Sequence, residues 1–159
     1  MEAHCVKFMV NSRVEPLSYM LLHGLVDISF EAYQELEHEH LDQPYNPDWE
    51  AYQRLEKEDR LRFFSLREGE NLIGYASIVL DKDIHREGVM FGSFRDIFIT
   101  KKKRGYAPFF VKFVEKCLCE MGVKRVYAAD RLFSNNEAWR FYQAMGYDPQ
   151  ECVWGKTLH

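Results

Sequence analysis

"KKKRGYAPFFVKFVEKCLCEMGVKRVYAAD", residues Lys101 to Asp130, starts with four consecutive cations, passes one glycine and continues as a broken apolar run. Phe110, Phe113, Val114 and Leu118 recur at helical spacing, so Tyr106 to Met121 reads as an amphipathic helix. Gly122 then stops it from the C′ position. The next residues, Val123 to Ala129, are rich in β-formers, and "VMFGSFRDIFIT" before the cations reads as a strand. A strand, a helix and a strand across residues 93–129 predict a crossover with locally parallel pairing.

Upstream, "RLRFFSLR" and "LIGYASIVL" are strand-like runs separated by a turn at Glu68-Gly69-Glu70-Asn71. A polar turn at Asp81 to Gly88 leads into the strand before the cations. These hairpins require antiparallel pairing, so the sheet is expected to be mixed. His4 to Asn11 reads as a first strand. Glu15 to about His40 has helical periodicity, with Gly24 and Asp27-Ile28-Ser29 expected to break it into two pieces. Asn46 or Asp48 can cap a short helix through "WEAYQRLEKED". Ser134 or Asn135 can cap "NEAWRFYQAM", closed by Gly146, and "ECVWGKTL" reads as a last strand.

The 159 residues suit one domain, residues 1–159, and 47% hydrophobic content is ample for a core. A net charge of −4 argues against a nucleic-acid binder built on the Lys101 to Arg104 patch. No apolar run approaches the roughly 20 residues that span a bilayer. Without a signal-like start, a cytoplasmic location is expected. Cys5, Cys117, Cys119 and Cys152 read as reduced, mostly buried thiols without metal-ligand spacing. His38 and His40 lie about 200° apart on a helix and cannot share an ion, so no metal is expected.

The cationic junction has a physical logic. The first N–H groups of a helix lack intrahelical partners, and the macrodipole adds positive charge there. Gly105 can let those amides converge on an anion, with Lys101, Lys102, Lys103 and Arg104 supplying charge. The same residues also fit a solvated basic turn before an ordinary helix.

A second segment narrows the choice. "SNNEAWRFYQAMGYDP" places Asn135, Ala138, Phe141-Tyr142 and Gly146-Tyr147 at the spacing N-x-x-A-x-x-(F/L)-Y-x-x-x-G-(F/Y). This resembles the end of the GNAT superfamily of N-acyltransferases. "KKRGYA" is similar to that family's (Q/R)-x-x-G-x-(G/A) acyl-CoA pyrophosphate loop, with Lys102 in place of Gln or Arg. The loop can also be registered with Arg104 leading, which puts Ala107 and Phe109 at the small-residue positions. The first register keeps Ala107 at the close approach to phosphate and leaves fourteen residues between Ala107 and Gly122. The ending "GYDPQECVWGKTL", with "NPDWEAY" upstream, resembles GNAT proteins of bacteriophages, which would place the protein in a host cytoplasm.

The resemblance implies an α/β (α+β) fold: a mixed, mostly antiparallel sheet flanked by helices, with one parallel, splayed strand pair. It implies an acetyl-CoA-dependent N-acetyltransferase acting on an amine of a small molecule or protein, as a monomer or homodimer. Backbone groups of Ile97, Phe98 and Ile99 would pair with the pantetheine arm. Lys102, Lys103 and the Arg104, Gly105, Tyr106 and Ala107 amides would face the pyrophosphate. Tyr142 matches the family's general acid, and Asn135 would contact the cofactor or simply cap its helix. Asp96 is the candidate base, its alternative being a surface or ion-paired carboxylate beside Arg95. His85 and Glu87 could line the acceptor cleft from their turn. The rival reading is a catalytically silent GNAT-fold protein that binds or inhibits a partner.

Overall fold

A computed structural model describes residues 1–5, 10–36, 44–100, 105–128 and 136–149. The chain divides into two units, Met1–Ala129 and Asp130–His159. The first holds one six-stranded sheet: β1 (Glu2–Cys5), β2 (Val10–Val14), β3 (Leu61–Glu68), β4 (Asn71–Lys82), β5 (Met90–Ile99) and β6 (Val123–Ala128). The strands lie in chain order. Neighbours pair antiparallel except β5 and β6, which are parallel, as the crossover demands.

One expectation needs correcting. His4 to Asn11 is not a single strand: Cys5 pairs with Val10 and Glu2 with Arg13, so the chain reverses between them. Val6-Lys7-Phe8-Met9 contains none of the usual turn residues, so an apolar run hides the reversal.

Between β2 and β3 come α1 (Leu17–Leu22), α2 (Leu25–Leu36) and α3 (Trp49–Lys57). The break between α1 and α2 falls at Gly24, whose φ of 108° disfavours any residue with a Cβ. Asp48 caps α3 by accepting from the Ala51 N–H at 2.9 Å. The helix end expected at residues 37–40 lies outside the described residues.

Each face of the sheet has its own core. Leu17, Met20, Leu25, Ile28 and Ala32 cover one face and bury Phe63, Tyr75 and Phe98. The other face meets α4 (Tyr106–Glu120). There Phe113 sits edge-on to Phe64, and a Cβ at Gly92 would lie 3.1 Å from Ile78 and 3.6 Å from Leu118. α4 therefore packs close on β5, which sets where that helix begins. Cys117 is buried and Cys119 exposed, both free thiols; side chains of the other two cysteines lie outside the described residues.

A buried ion pair ties the helices to the sheet. Arg67 of β3 is fully buried and donates through Nε and Nη2 to the Glu15 carboxylate at 2.8–3.2 Å. Its Nη1 reaches the Glu70 carbonyl at 2.8 Å and the His23 carbonyl at 3.3 Å. Hydrogen bonding to Glu15 holds the guanidinium above its ordinary pKa, against the cost of burial.

The second unit contributes α5 (Asn136–Ala144). Tyr147 N donates to the Tyr142 carbonyl and Gly146 N to the Gln143 carbonyl, each at 3.0 Å. With Gly146 at φ 86°, this is a complete Schellman stop. The expected caps Ser134 and Asn135, and the last strand at 151–158, lie outside the described residues.

Candidate active site

β5 is unevenly paired. On one side β4 follows it to Ile99, and Thr100 continues the ladder by donating its N–H to Ile73 O at 2.9 Å. On the other side, the described pairing with β6 runs from Met90↔Val123 to Phe94↔Ala128 and stops. Ile97, Phe98 and Ile99 lie beyond that point, registered on Ala76, Tyr75 and Gly74. Gly74 allows close approach: a Cβ there would lie 3.0 Å from the Phe98 carbonyl oxygen.

Where the β6 pairing ends, β5 carries a bulge. Asp96 pairs with Ser77 and Phe94 with Ile78, so Arg95 is an extra residue opposite one peptide of β4. In a regular strand, Asp96 and Phe94 would share a face. The bulge reverses the alternation. Phe94 stays on the α4 side with Ile78, while Asp96 turns to the α1–α3 side with Ser77 and Phe63. There Asp96 Oδ2 accepts from Ser77 Oγ at 2.5 Å. Arg95 is exposed, and its charge reaches Tyr52.

The phenols of Tyr45, Tyr52 and Tyr75 gather around this carboxylate. Burial raises each pKa first, and the negative charge of Asp96 raises each further. All three are neutral near pH 7. None of them, nor Ser77, was identified from the sequence. Their signal exists only in the pairing of strands distant in the chain and in the bulge.

At the C-terminal end of β5, Gly105 occupies the N-cap of α4 with φ 74° and ψ 11°, a left-handed conformation. Tyr106 and Ala107 are the first two helical residues, and Pro108 has no N–H. Gly105, Tyr106 and Ala107 thus form the start of the helix, ahead of its i→i−4 ladder. Phe109 is the first whose amide enters the i→i−4 ladder. Lys102, Lys103 and Arg104 lie outside the described residues, as does Asn135.

A cleft of about 390 Å³ opens beside Thr100, with His23, Asp27, Glu31, Glu70 and Asn71 among its walls. His85 and Glu87 are exposed on the β4–β5 turn, where the His85 N–H is held by Asp83 Oδ1 at 2.8 Å. Tyr142 lies on α5 in the second unit, its ring 5.4 Å from Phe141 and 5.3 Å from Tyr147. Among the described residues there is no cluster of potential metal ligands, and no helix is long and apolar enough to cross a membrane.

This geometry can be set beside known proteins. No curated protein sequence matches the chain. Among solved structures, an aminoglycoside acetyltransferase from an uncultured soil metagenomic sample, in complex with sisomicin, superposes with a TM-score of 0.76 at 13% identity, covering 98% of this chain and 100% of that one. Glucosamine-6-phosphate N-acetyltransferase from Arabidopsis thaliana gives 0.66 at 18% identity, covering 94% and 99%. Ribosomal-protein-alanine N-acetyltransferase from Brucella melitensis biovar Abortus 2308 gives 0.73 at 14% identity, covering 94% and 98%. At such identities the likeness is one of fold. These matches give the narrower resemblance to bacteriophage proteins no support. The model of the acetyltransferase (GNAT) family matches residues 22–147, most of the chain and both motifs read from the sequence, and the chain belongs to that family.

Proposed function

We propose that this protein transfers an acetyl group from acetyl-CoA to an amine by direct attack. The observation that carries the reading is a β5 whose described pairing with β6 ends at Phe94, followed in the chain by the left-handed Gly105 cap of α4. Beyond that pairing, an extended amide-bearing arm can add along Ile97, Phe98 and Ile99 as a strand would. A pyrophosphate can sit on the Gly105, Tyr106 and Ala107 amides, with the Arg104 amide and the charges of Lys102, Lys103 and Arg104 joining it. The helix start supports the register in which Ala107, rather than Phe109, approaches the phosphate.

In this reading the amine nitrogen bonds to the thioester carbonyl carbon, and an amide of the β5 edge steadies the oxyanion. The carbon–sulfur bond then breaks. Asp96 takes the proton that the ammonium must lose. Tyr142, by its place in the family motif, gives one to the departing thiolate, since a phenol with pKa about 10 is protonated at neutral pH. Asn135 contacts the cofactor in the same motif.

Thermal shift tests the donor site. Acetyl-CoA should raise the melting temperature, and the rise should shrink with salt as exposed cation–phosphate pairs are screened. Gly105→Val places a β-branched residue at φ 74° and should abolish the shift while the protein remains folded. No shift in the wild type at millimolar acetyl-CoA would end the proposal. Binding without coenzyme A release for any amine would instead favour a catalytically silent member.

A further inference from the structure

Two groups of aromatic rings include phenols within electrostatic reach of Asp96. In one, Trp49 lies 5.5 Å from Tyr52, and Tyr52 lies 6.1 Å from Phe63, which is registered on Ser77 beside Asp96. In the other, Tyr45 stacks on Tyr33 at 4.4 Å and lies 6.5 Å from Phe30. Tyr75 lies two residues from Ser77 on the same face of β4, opposite Phe98.

We propose that this cluster is the acceptor subsite and that it takes a primary amine with one ammonium group on a slim apolar or aromatic body. The inference rests on the acyltransferase reading and names its second substrate. The ammonium pairs with Asp96, while the body lies along the Tyr45 and Tyr52 rings above Tyr75. A ring face attracts a cation, more so where both are partly desolvated. The local charge also limits the guest. The field of Asp96 reaches all three phenols, and that of Arg95 reaches Tyr52. A polycation finds one carboxylate and a repelling guanidinium. A phosphorylated sugar finds one exposed arginine and the repelling Asp96 carboxylate.

Calorimetric titration of the full chain, with saturating coenzyme A present to prevent turnover, tests this. The probes are phenethylamine, its neutral counterpart phenethyl alcohol, and sisomicin as a polycation. Phenethylamine should bind about 10-fold more tightly than the alcohol, as expected for a partly desolvated charge over rings and a carboxylate. Asp96→Asn, equal in shape, should remove that preference. Tyr45→Leu should weaken phenethylamine about 5-fold, whereas Tyr45→Phe keeps the ring and should stay within about 2-fold. Equal binding of amine and alcohol, tighter binding of sisomicin, or no binding of phenethylamine while coenzyme A still binds each overturns the subsite. Failure of coenzyme A itself to bind is a different result, and it removes the acyltransferase reading.

Discussion

Ser77 Oγ donates to Asp96 Oδ2 across the β4–β5 ladder at 2.5 Å, and the serine is fully buried. A hydrogen bond to a charged group contributes roughly 1.5–3 kcal/mol and holds the carboxylate in one orientation. If Asp96 receives the amine proton, Ser77 is its positioning residue. Ser77→Ala should lower kcat about 10-fold and leave the affinity for acetyl-CoA unchanged. In an Asp96→Asn background the same substitution should have no further effect on turnover, because its only route is through the carboxylate. Additive losses in the double variant would show that Ser77 acts elsewhere.

The bulge that creates this pair marks the limit of what the sequence discloses. Periodicity, Gly24, the Asp48 cap and the Gly122 stop are local signals, and each reappears where it was expected. The parallel crossover was legible too, because a strand–helix–strand unit closes in one way. The reversal between Cys5 and Val10 and the bulge at Arg95 were not legible. Both are properties of strand pairing, with no residue type that announces them. Asp96 could therefore be named as a candidate. Its tyrosine surroundings could not, since Tyr45 and Tyr52 come from segments remote in the chain.

Tyr142→Phe keeps the ring that meets Phe141 and Tyr147, and it leaves the Tyr142 carbonyl that accepts from Tyr147 N. Only the phenolic hydroxyl, and with it the proton, is lost. Turnover should fall about 10²-fold or more with acetyl-CoA affinity nearly unchanged. An unchanged kcat removes Tyr142 as the acid. A large drop in melting temperature would instead assign the hydroxyl a packing role.

Glu15→Gln removes the countercharge and leaves Arg67 charged and buried with only neutral carbonyls as acceptors, two from the backbone and one from the Gln side chain. Breaking a buried pair from one side costs about 3–5 kcal/mol, so the urea midpoint should fall sharply. Replacing both partners by apolar residues, Glu15→Leu with Arg67→Met, should recover much of that loss. A midpoint unchanged in Glu15→Gln would mean that the carbonyls alone satisfy the guanidinium.

Alkaline pH should destabilise the protein through the same tyrosines that surround Asp96. Burial raises the pKa of Tyr45, Tyr52 and Tyr75 above the value of about 10 for an unfolded phenol. Below that value both states hold the proton, and the full stability is present. Above it the unfolded chain ionises first, so stability is lost as pH climbs towards the folded values. Tyr75 is 6% exposed and carries the largest shift of the three. Between pH 10 and 11 it should account for about 1 kcal/mol of the loss. Tyr75→Phe removes that ionisation, so its urea-unfolding free energy should decline less steeply over the interval. Absorbance near 295 nm should show Tyr75 titrating only as the fold opens. Equal slopes for wild type and Tyr75→Phe would mean that the phenol ionises freely in the native state and that the ring is more hydrated than its burial indicates.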